Sequence, residues 1–512
     1  MLNCSKFFKK YFLGLILLFS LTSCEDWLTV DLVDSVTPDN YYKSKEQMDK
    51  ALIAAYSPLA NMGMYRQIFG VVLDLGSDDV FTLEGSFLGY MNYNVANDDE
   101  NLFKRGRKTT ETEVIAGYGI YNSIYEGIMR CNIVLDKLPD SEVPDDAQIE
   151  GEARFLRALY FRHLMNLWDQ GVVITEENYN DIAIPFTSTS NMAPVIEADL
   201  KLILEKEMLP HATDGNFQTG RANIETTQAL LARHYLYQGM PEKAEPLLAA
   251  IIESNSYALI PIDQVFSVAG DNSSESVFEV QVSDAIGGST PWFDDNKASA
   301  PSSLRNNFIG PTQTGAWQNI IPTHDLVNTF EANDLRKQNF ILSDGDPIPY
   351  EEGVNYRASD AFPYCVLKGI KSGAYANAEN GSGQHTENFP IIRYADVLLM
   401  HAETILSSNP TKAIEEINQV RARAFGYATV QELIAAGESI EDYRARKGIS
   451  LFEALKHERR KEFCFEGLRY FDLVRWGDAE KNTIMTQRGW NKSKERYYPL
   501  PQEDINFNDS FL

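Results

Sequence analysis

Glu458 and Glu462, four residues apart on one predicted helix face, lie in the most densely charged stretch of the chain, which continues through Glu466, Arg469, Asp472 and Arg475. Paired carboxylates can serve as general acid and base. A glycoside hydrolase needs such a pair about 5 Å or about 6.5–9.5 Å apart across a sugar. Here the acids are interleaved with Arg459, Arg460, Arg469 and Arg475. Guanidinium charge holds a carboxylate ionised instead of raising its pKa for acid catalysis. Phe463, Phe465, Tyr470, Phe471 and Trp476 pack the same stretch, so it reads as a structural ion-pair network. His163, His211, His234, His324, His385, His401 and His457 show no H-E-x-x-H or other ligand spacing. No G-x-S-x-G, Walker or dinucleotide fingerprint occurs. The sequence therefore predicts no catalytic residue, no metal and no cofactor.

Side chains suited to holding a sugar lie elsewhere. A saccharide presents apolar C–H faces edged by hydroxyls, so its site calls for exposed rings, each covering about 150–250 Å², beside amides and carboxylates that fix orientation. Two segments rich in Gly, Ser, Asn and Asp supply both. Residues 78–101 carry Asp79, Tyr90, Tyr93 and Asn101, and residues 292–318 carry Trp292, Trp317 and Gln318. Trp292, Trp317, Tyr90, Tyr93, Asp79 and Asn101 are the candidate ligand-binding residues.

The elements that must position them are helical. Ser44-Lys45-Glu46-Gln47 is a capping-box pattern opening a helix through Leu52 and Tyr56. Apolar positions recur with a period near 3.6 over Ile120–Leu138 and over Phe155–Trp168, and Gly171 is expected to end the second run. Two later blocks share a plan: a small-residue helix (229–237 and 396–403), a short turn, a Pro-x-Lys-Ala start at Pro241 and at Pro410, then a second amphipathic helix. That is the shape of a tetratricopeptide hairpin. The fold class predicted is all-α: tetratricopeptide-like helical hairpins in one body over residues 41–512, with long irregular insertions at 76–103, 267–320 and 343–388. Segments of that kind inside a compact domain are commonly functional.

The first residues are an address. Lys6, Lys9 and Lys10 precede an apolar run ending in Leu21-Thr22-Ser23-Cys24, and thirteen residues separate Lys10 from Cys24. A spanning helix needs about 20, so residues 1–23 read as a signal peptide and residues 24–40 as a tether. With 46 basic against 73 acidic residues and a net charge of −27, the chain is not a nucleic-acid binder, which needs clustered cations. Five cysteines without a C-x-x-C pair do not make a zinc ribbon or a redox dithiol.

Three stretches carry a family likeness: Glu152-Ala153-Arg154-Phe155-Leu156-Arg157-Ala158-Leu159-Tyr160-Phe161, the run Ile392 to Glu403, and the charged run Glu458 to Gly477. With Leu-x-Ser-Cys24, which resembles a bacterial lipobox, and the closing Tyr498-Pro499-Leu500-Pro501, they resemble the SusD/RagB family of outer-membrane nutrient-binding lipoproteins over nearly the whole chain. Trp168-Asp169-Gln170-Gly171-Val172 departs from the family's usual Gly–Val–Pro, and the tail lacks its Asn-Pro. The resemblance implies acylation of Cys24, a lipid anchor in the outer membrane facing the exterior, and no catalysis. It also implies an oligosaccharide ligand and a SusC-like TonB-dependent transporter as partner. Peptide import of the RagB kind is the alternative, with surface glycoside hydrolysis a more distant one.

Overall fold

The computed structural model describes residues 41–83, 111–282, 308–370 and 388–487, apart from 62, 66, 67, 182 and 183, together with four single positions nearer the C-terminus. Helix α1 (Lys45–Tyr56) begins where the sequence places it. The Ser44 side chain accepts from the Gln47 backbone N–H, and the Gln47 side chain accepts from the Ser44 backbone, which satisfies two donors at the helix start. After α2 (Ile68–Leu75), the long helices α3 (Glu111–Lys137) and α4 (Ala147–Leu167) pack against each other and against α1. The contact is close because position 127 has no side chain. A Cβ there would lie 2.3 Å from the ring of Tyr160, which is fully buried and anchored through its hydroxyl to the Ala55 carbonyl at 2.9 Å.

Gly127→Ala therefore sets two effects against each other. Alanine gains about 1 kcal/mol in helix propensity, but overpacking a core costs about 1–3 kcal/mol, and a tethered ring cannot step aside. We expect a net loss and a lower denaturation midpoint. An unchanged or raised midpoint would contradict this packing.

Helix α5 (Ala193–Lys206) continues the stack onto α4 and onto α6 (Ile224–Tyr237), which pairs with α7 (Pro241–Ser254). Helices α8 (Tyr394–Ile405) and α9 (Pro410–Ala424) form the matching hairpin, and α7 packs on α8. Both second helices open on proline at the first helical position, where a missing N–H costs nothing. Gly239, at φ +72°, makes the first of the two turns. The predicted all-α class of tetratricopeptide-like hairpins is what the chain adopts.

Strands are confined to four two-stranded ribbons among the described residues. Val80–Phe81 pairs with Ile321–Pro322, and Ser276–Val280 pairs with Phe389–Arg393, both antiparallel. Where the irregular insertions are described, these ribbons pin them to the helical body. Gly171 differs from expectation. Helix α4 ends at Leu167 with Trp168 as its cap, and Gly171 sits in a ribbon with Thr187. A Cβ at Gly171 would come within 2.9 Å of the Tyr125 hydroxyl, so close approach and not capping explains the glycine.

The charged motif occupies α10 (Leu451–Phe463) and α11 (Arg469–Arg475) and lies in the interior. Glu462 meets Arg423 at 2.6 Å, Arg393 at 3.0 Å and Arg336 at 3.1 Å. Glu458 meets Arg336 and Arg421, each at 2.7 Å. Burial alone would raise both carboxyls, but the surrounding cations outweigh it. Glu462 is held at about 2, and Glu458 well below the carboxylate range. Asp396, between Arg233 and Arg459, is lowered in the same way. These groups are fixed anions, the opposite of what an acid catalyst requires.

Because the folded pKa of each lies below its unfolded value, the unfolded chain binds more protons at low pH. The stabilisation is therefore present above about pH 4 and is lost as pH falls toward about 2. Thermal scans should show the midpoint dropping steeply across that window. A flat profile would mean that the network contributes nothing.

Candidate ligand-binding surface

Trp317 is displayed to solvent, with 46% of its surface exposed, one of three large hydrophobic side chains so placed among the described residues. Its loop follows a short turn, Thr312–Thr314, that ends at Gly315 with φ +84°. The indole rests edge-to-face on buried Phe308, with centroids 5.1 Å apart and planes at 60°, a geometry aromatic pairs favour.

What turns Trp317 outward is its neighbour. Gln318 has φ +47°, a left-handed conformation that a non-glycine residue adopts only when its surroundings compel it. The surroundings do so here. Its side chain is 1% exposed, its Nε2 donates to the Tyr356 hydroxyl at 2.9 Å and to the Tyr364 carbonyl at 3.0 Å, and its Oε1 accepts from the Thr312 N–H. Tyr356 is fully buried and donates in turn to the Phe362 carbonyl at 2.7 Å. Strain concentrated beside an exposed indole points to a held binding platform. Polar side chains surround the clamp. Gln313 is exposed and bonded to the Arg357 carbonyl, and exposed His324 meets the Tyr364 hydroxyl at 3.3 Å. An aromatic face beside amide, imidazole and phenol groups can stack on a sugar ring and bind its hydroxyls.

Of the residues the sequence nominated, the structure brings Trp317 to the surface and puts Asp79 inside. Asp79 is 1% exposed, and its Oδ1 accepts from the Arg460 Nε at 2.7 Å. Burial pushes its carboxyl upward despite that arginine. Neighbouring Asp78, paired with Arg469 and Arg460, is held low. Asp79 thus fastens the ribbon at Val80–Phe81 to α10 and has no face to offer a ligand, which corrects its place among the candidates. Gln318 likewise acts from below, as a positioner of Trp317. Trp292, Tyr90, Tyr93, Asn101 and Cys24 lie outside the described residues.

Sequence reasoning missed Phe308, Tyr356 and Tyr364, which build the platform from beneath. The aromatic residues Tyr350, Tyr356, Phe362 and Tyr364, clustered in the third insertion, were the available signal. His163, His234 and His401 are all buried. His401 meets Glu416 at 2.8 Å, and His163 meets the Tyr65 hydroxyl at 3.0 Å.

Comparison with known proteins agrees with this architecture. A model of the SusD family matches residues 348–511, and a second, described as starch-binding associating with outer membrane, matches residues 39–236. A SusD-like protein of Formosa agariphila is 24% identical, the alignment covering 97% of this chain and 96% of the relative. A SusD-like protein of Bacteroides ovatus is 22% identical over 84% of this chain and 76% of its own. Among solved structures, the surface glycan-binding protein A of Bacteroides thetaiotaomicron in complex with laminarihexaose superposes with a TM-score of 0.73, at 21% identity, over 92% of this chain and 99% of that one. A laminarin-binding SusD-like protein superposes with a TM-score of 0.71, at 23% identity, over 91% and 98%. At these identities the superpositions establish a shared fold. Two matches of one kind, joined by relatives aligned nearly end to end, place the chain in the SusD/RagB family.

Proposed function

We propose that this protein is a non-catalytic lipoprotein of the outer membrane, anchored through Cys24, that captures an extracellular oligosaccharide and passes it to a SusC-like TonB-dependent transporter. The observation that carries the reading is Trp317, held outward by a strained, buried Gln318. The laminarihexaose complex of a protein sharing the fold supports a glycan as the ligand class. Trp292, Tyr90, Tyr93 and Asn101 are proposed as further ligand-binding residues. The buried carboxylates of the charged motif support the absence of acid catalysis, since arginines hold them ionised.

No helix among the described residues is long and apolar enough to cross a membrane; in this reading the lipid on Cys24 supplies the attachment. Each buried methylene of an acyl chain contributes about 0.8 kcal/mol, and more than one chain anchors stably. Intrinsic affinity between about −4 and −8 kcal/mol, millimolar to micromolar, suffices when the binder is tethered at a pore.

Three readouts test the proposal. Cys24→Ser should move the protein from the membrane to the soluble fraction. The wild type should copurify with an outer-membrane barrel. Calorimetry against a panel of glycans and a panel of peptides should give heat with glycans. Heat with peptides alone would replace the oligosaccharide by a peptide cargo.

A further inference from the structure

A cavity opens beside the α8–α9 hairpin, and none of its lining residues belongs to the Trp317 platform. Its volume is about 1020 Å³, at the upper end of the range for small-molecule sites, about 300–1,000 Å³. Its walls come from residues 257–263, the short helix Leu335–Phe340, Tyr394 at the start of α8, and the end of α9 with the 426–430 segment that follows.

Two features of this wall select a ligand. The first is a set of neutral polar groups left unpaired, on a wall whose charged side chains are Asp263 and Arg423. The amides of Gln338 and Gln419 and the hydroxyls of Tyr394 and Tyr427 make no hydrogen bond with any described residue. Arg423 is the only cation in the lining, and Glu275 and Glu462 already neutralise it at 3.0 and 2.6 Å. An anionic ligand would find no free positive charge here. The second is Arg423 itself. Its side chain is 7% exposed, four hydrogen bonds occupy its two terminal nitrogens, and its buried Nε–H has no acceptor. A buried donor left unmade costs about 1–3 kcal/mol, and a hydroxyl oxygen seated against this wall could supply the acceptor after a small shift of the guanidinium. Tyr257 and Tyr394, both buried, stack on each other with centroids 6.3 Å apart and planes at 23°, and give the floor of the cavity an aromatic base.

We infer that this cavity is a second binding site, for a segment of neutral saccharide, built by Gln338, Tyr394, Gln419, Arg423 and Tyr427. It is independent of the platform at Trp317. A long glycan engaging both places would gain from effective concentration.

The test is diffraction from crystals of the mature chain soaked separately in maltose, cellobiose, laminaribiose and, as competitors, neutral dipeptides. The inference predicts a disaccharide in this cavity in contact with Gln419 or Tyr427. Water alone in the cavity across the sugar panel overturns it, as does a dipeptide where no sugar enters. The soak separates the two readings. Sugar stacked on Trp317 over a water-filled cavity leaves the glycan proposal standing and ends this one, and sugar in the cavity alone upholds this one and removes the platform at Trp317. In solution, Gln419→Ala with Tyr427→Phe, both side chains outside the ion-pair network, should weaken binding of the soaked sugar about tenfold in a Trp317→Ala background. No change there would also overturn the inference.

Discussion

Glu462→Ala should cost about 3–5 kcal/mol of folding stability, the amount lost when one partner of a buried ion pair is removed. That is a large share of the roughly 5–15 kcal/mol that keeps a domain folded. The effect should be large because the carboxylate serves three guanidinium groups at once, those of Arg336, Arg393 and Arg423, in a site with no exposed surface. Removing it leaves positive charges facing one another where water cannot reach. Glu415→Ala makes the contrast. Glu415 meets Lys412 at 3.0 Å on the surface, with both side chains substantially exposed, and exposed pairs contribute little. Denaturant unfolding of the two variants should give a sharply lowered midpoint for Glu462→Ala and a parental one for Glu415→Ala. Equal midpoints would mean that the interior network is not what holds α8, α9 and α10 together.

Trp317→Ala should weaken glycan binding about tenfold to a hundredfold, some 1.4–2.8 kcal/mol, and leave the unfolding midpoint nearly unchanged. Both expectations follow from the same geometry. The indole has almost half its surface in solvent, so folding gains little from it, while a ligand that stacks on it loses most of an aromatic face. Gln318→Ala should reduce affinity too, although Trp317 remains. Without the bonds to Tyr356 and Tyr364, nothing compels the left-handed backbone that directs the ring outward. Titration of the three proteins with a bound glycan measures this directly. A Trp317→Ala variant that binds like its parent would remove the platform from the account.

How much of this was readable in one dimension depends on the range of the interaction. The capping box at Ser44 and the prolines that open α7 and α9 are local, and each stands where the residues place it. The hairpin pattern was likewise legible, because it is a periodicity. The charged motif was legible in kind: arginines alternating with carboxylates declare ion pairing whatever their partners. Asp79 failed for the same physical reason that makes it important. Its partner, Arg460, is 381 residues away, and an aspartate beside polar and aromatic neighbours looks the same in sequence whether it faces solvent or a buried guanidinium. Gln318 was nominated for the wrong task, since a positive φ on glutamine has no local signature. Trp317 was legible as an aromatic in a loop rich in Gly, Thr and Gln, but the buttress of Phe308 and Tyr356 beneath it comes from separate segments that only the fold brings together.

Central to the proposed function is a helical body that grips a glycan and does not cleave it. Native electrophoresis of the mature protein through gels cast with individual polysaccharides, with the same polysaccharides then sized after incubation, tests both halves at once. The expected result is retarded migration in at least one polysaccharide, relieved by Trp317→Ala, with polymer length unchanged. Unretarded migration in every gel, or shortened polymer in any incubation, would contradict it.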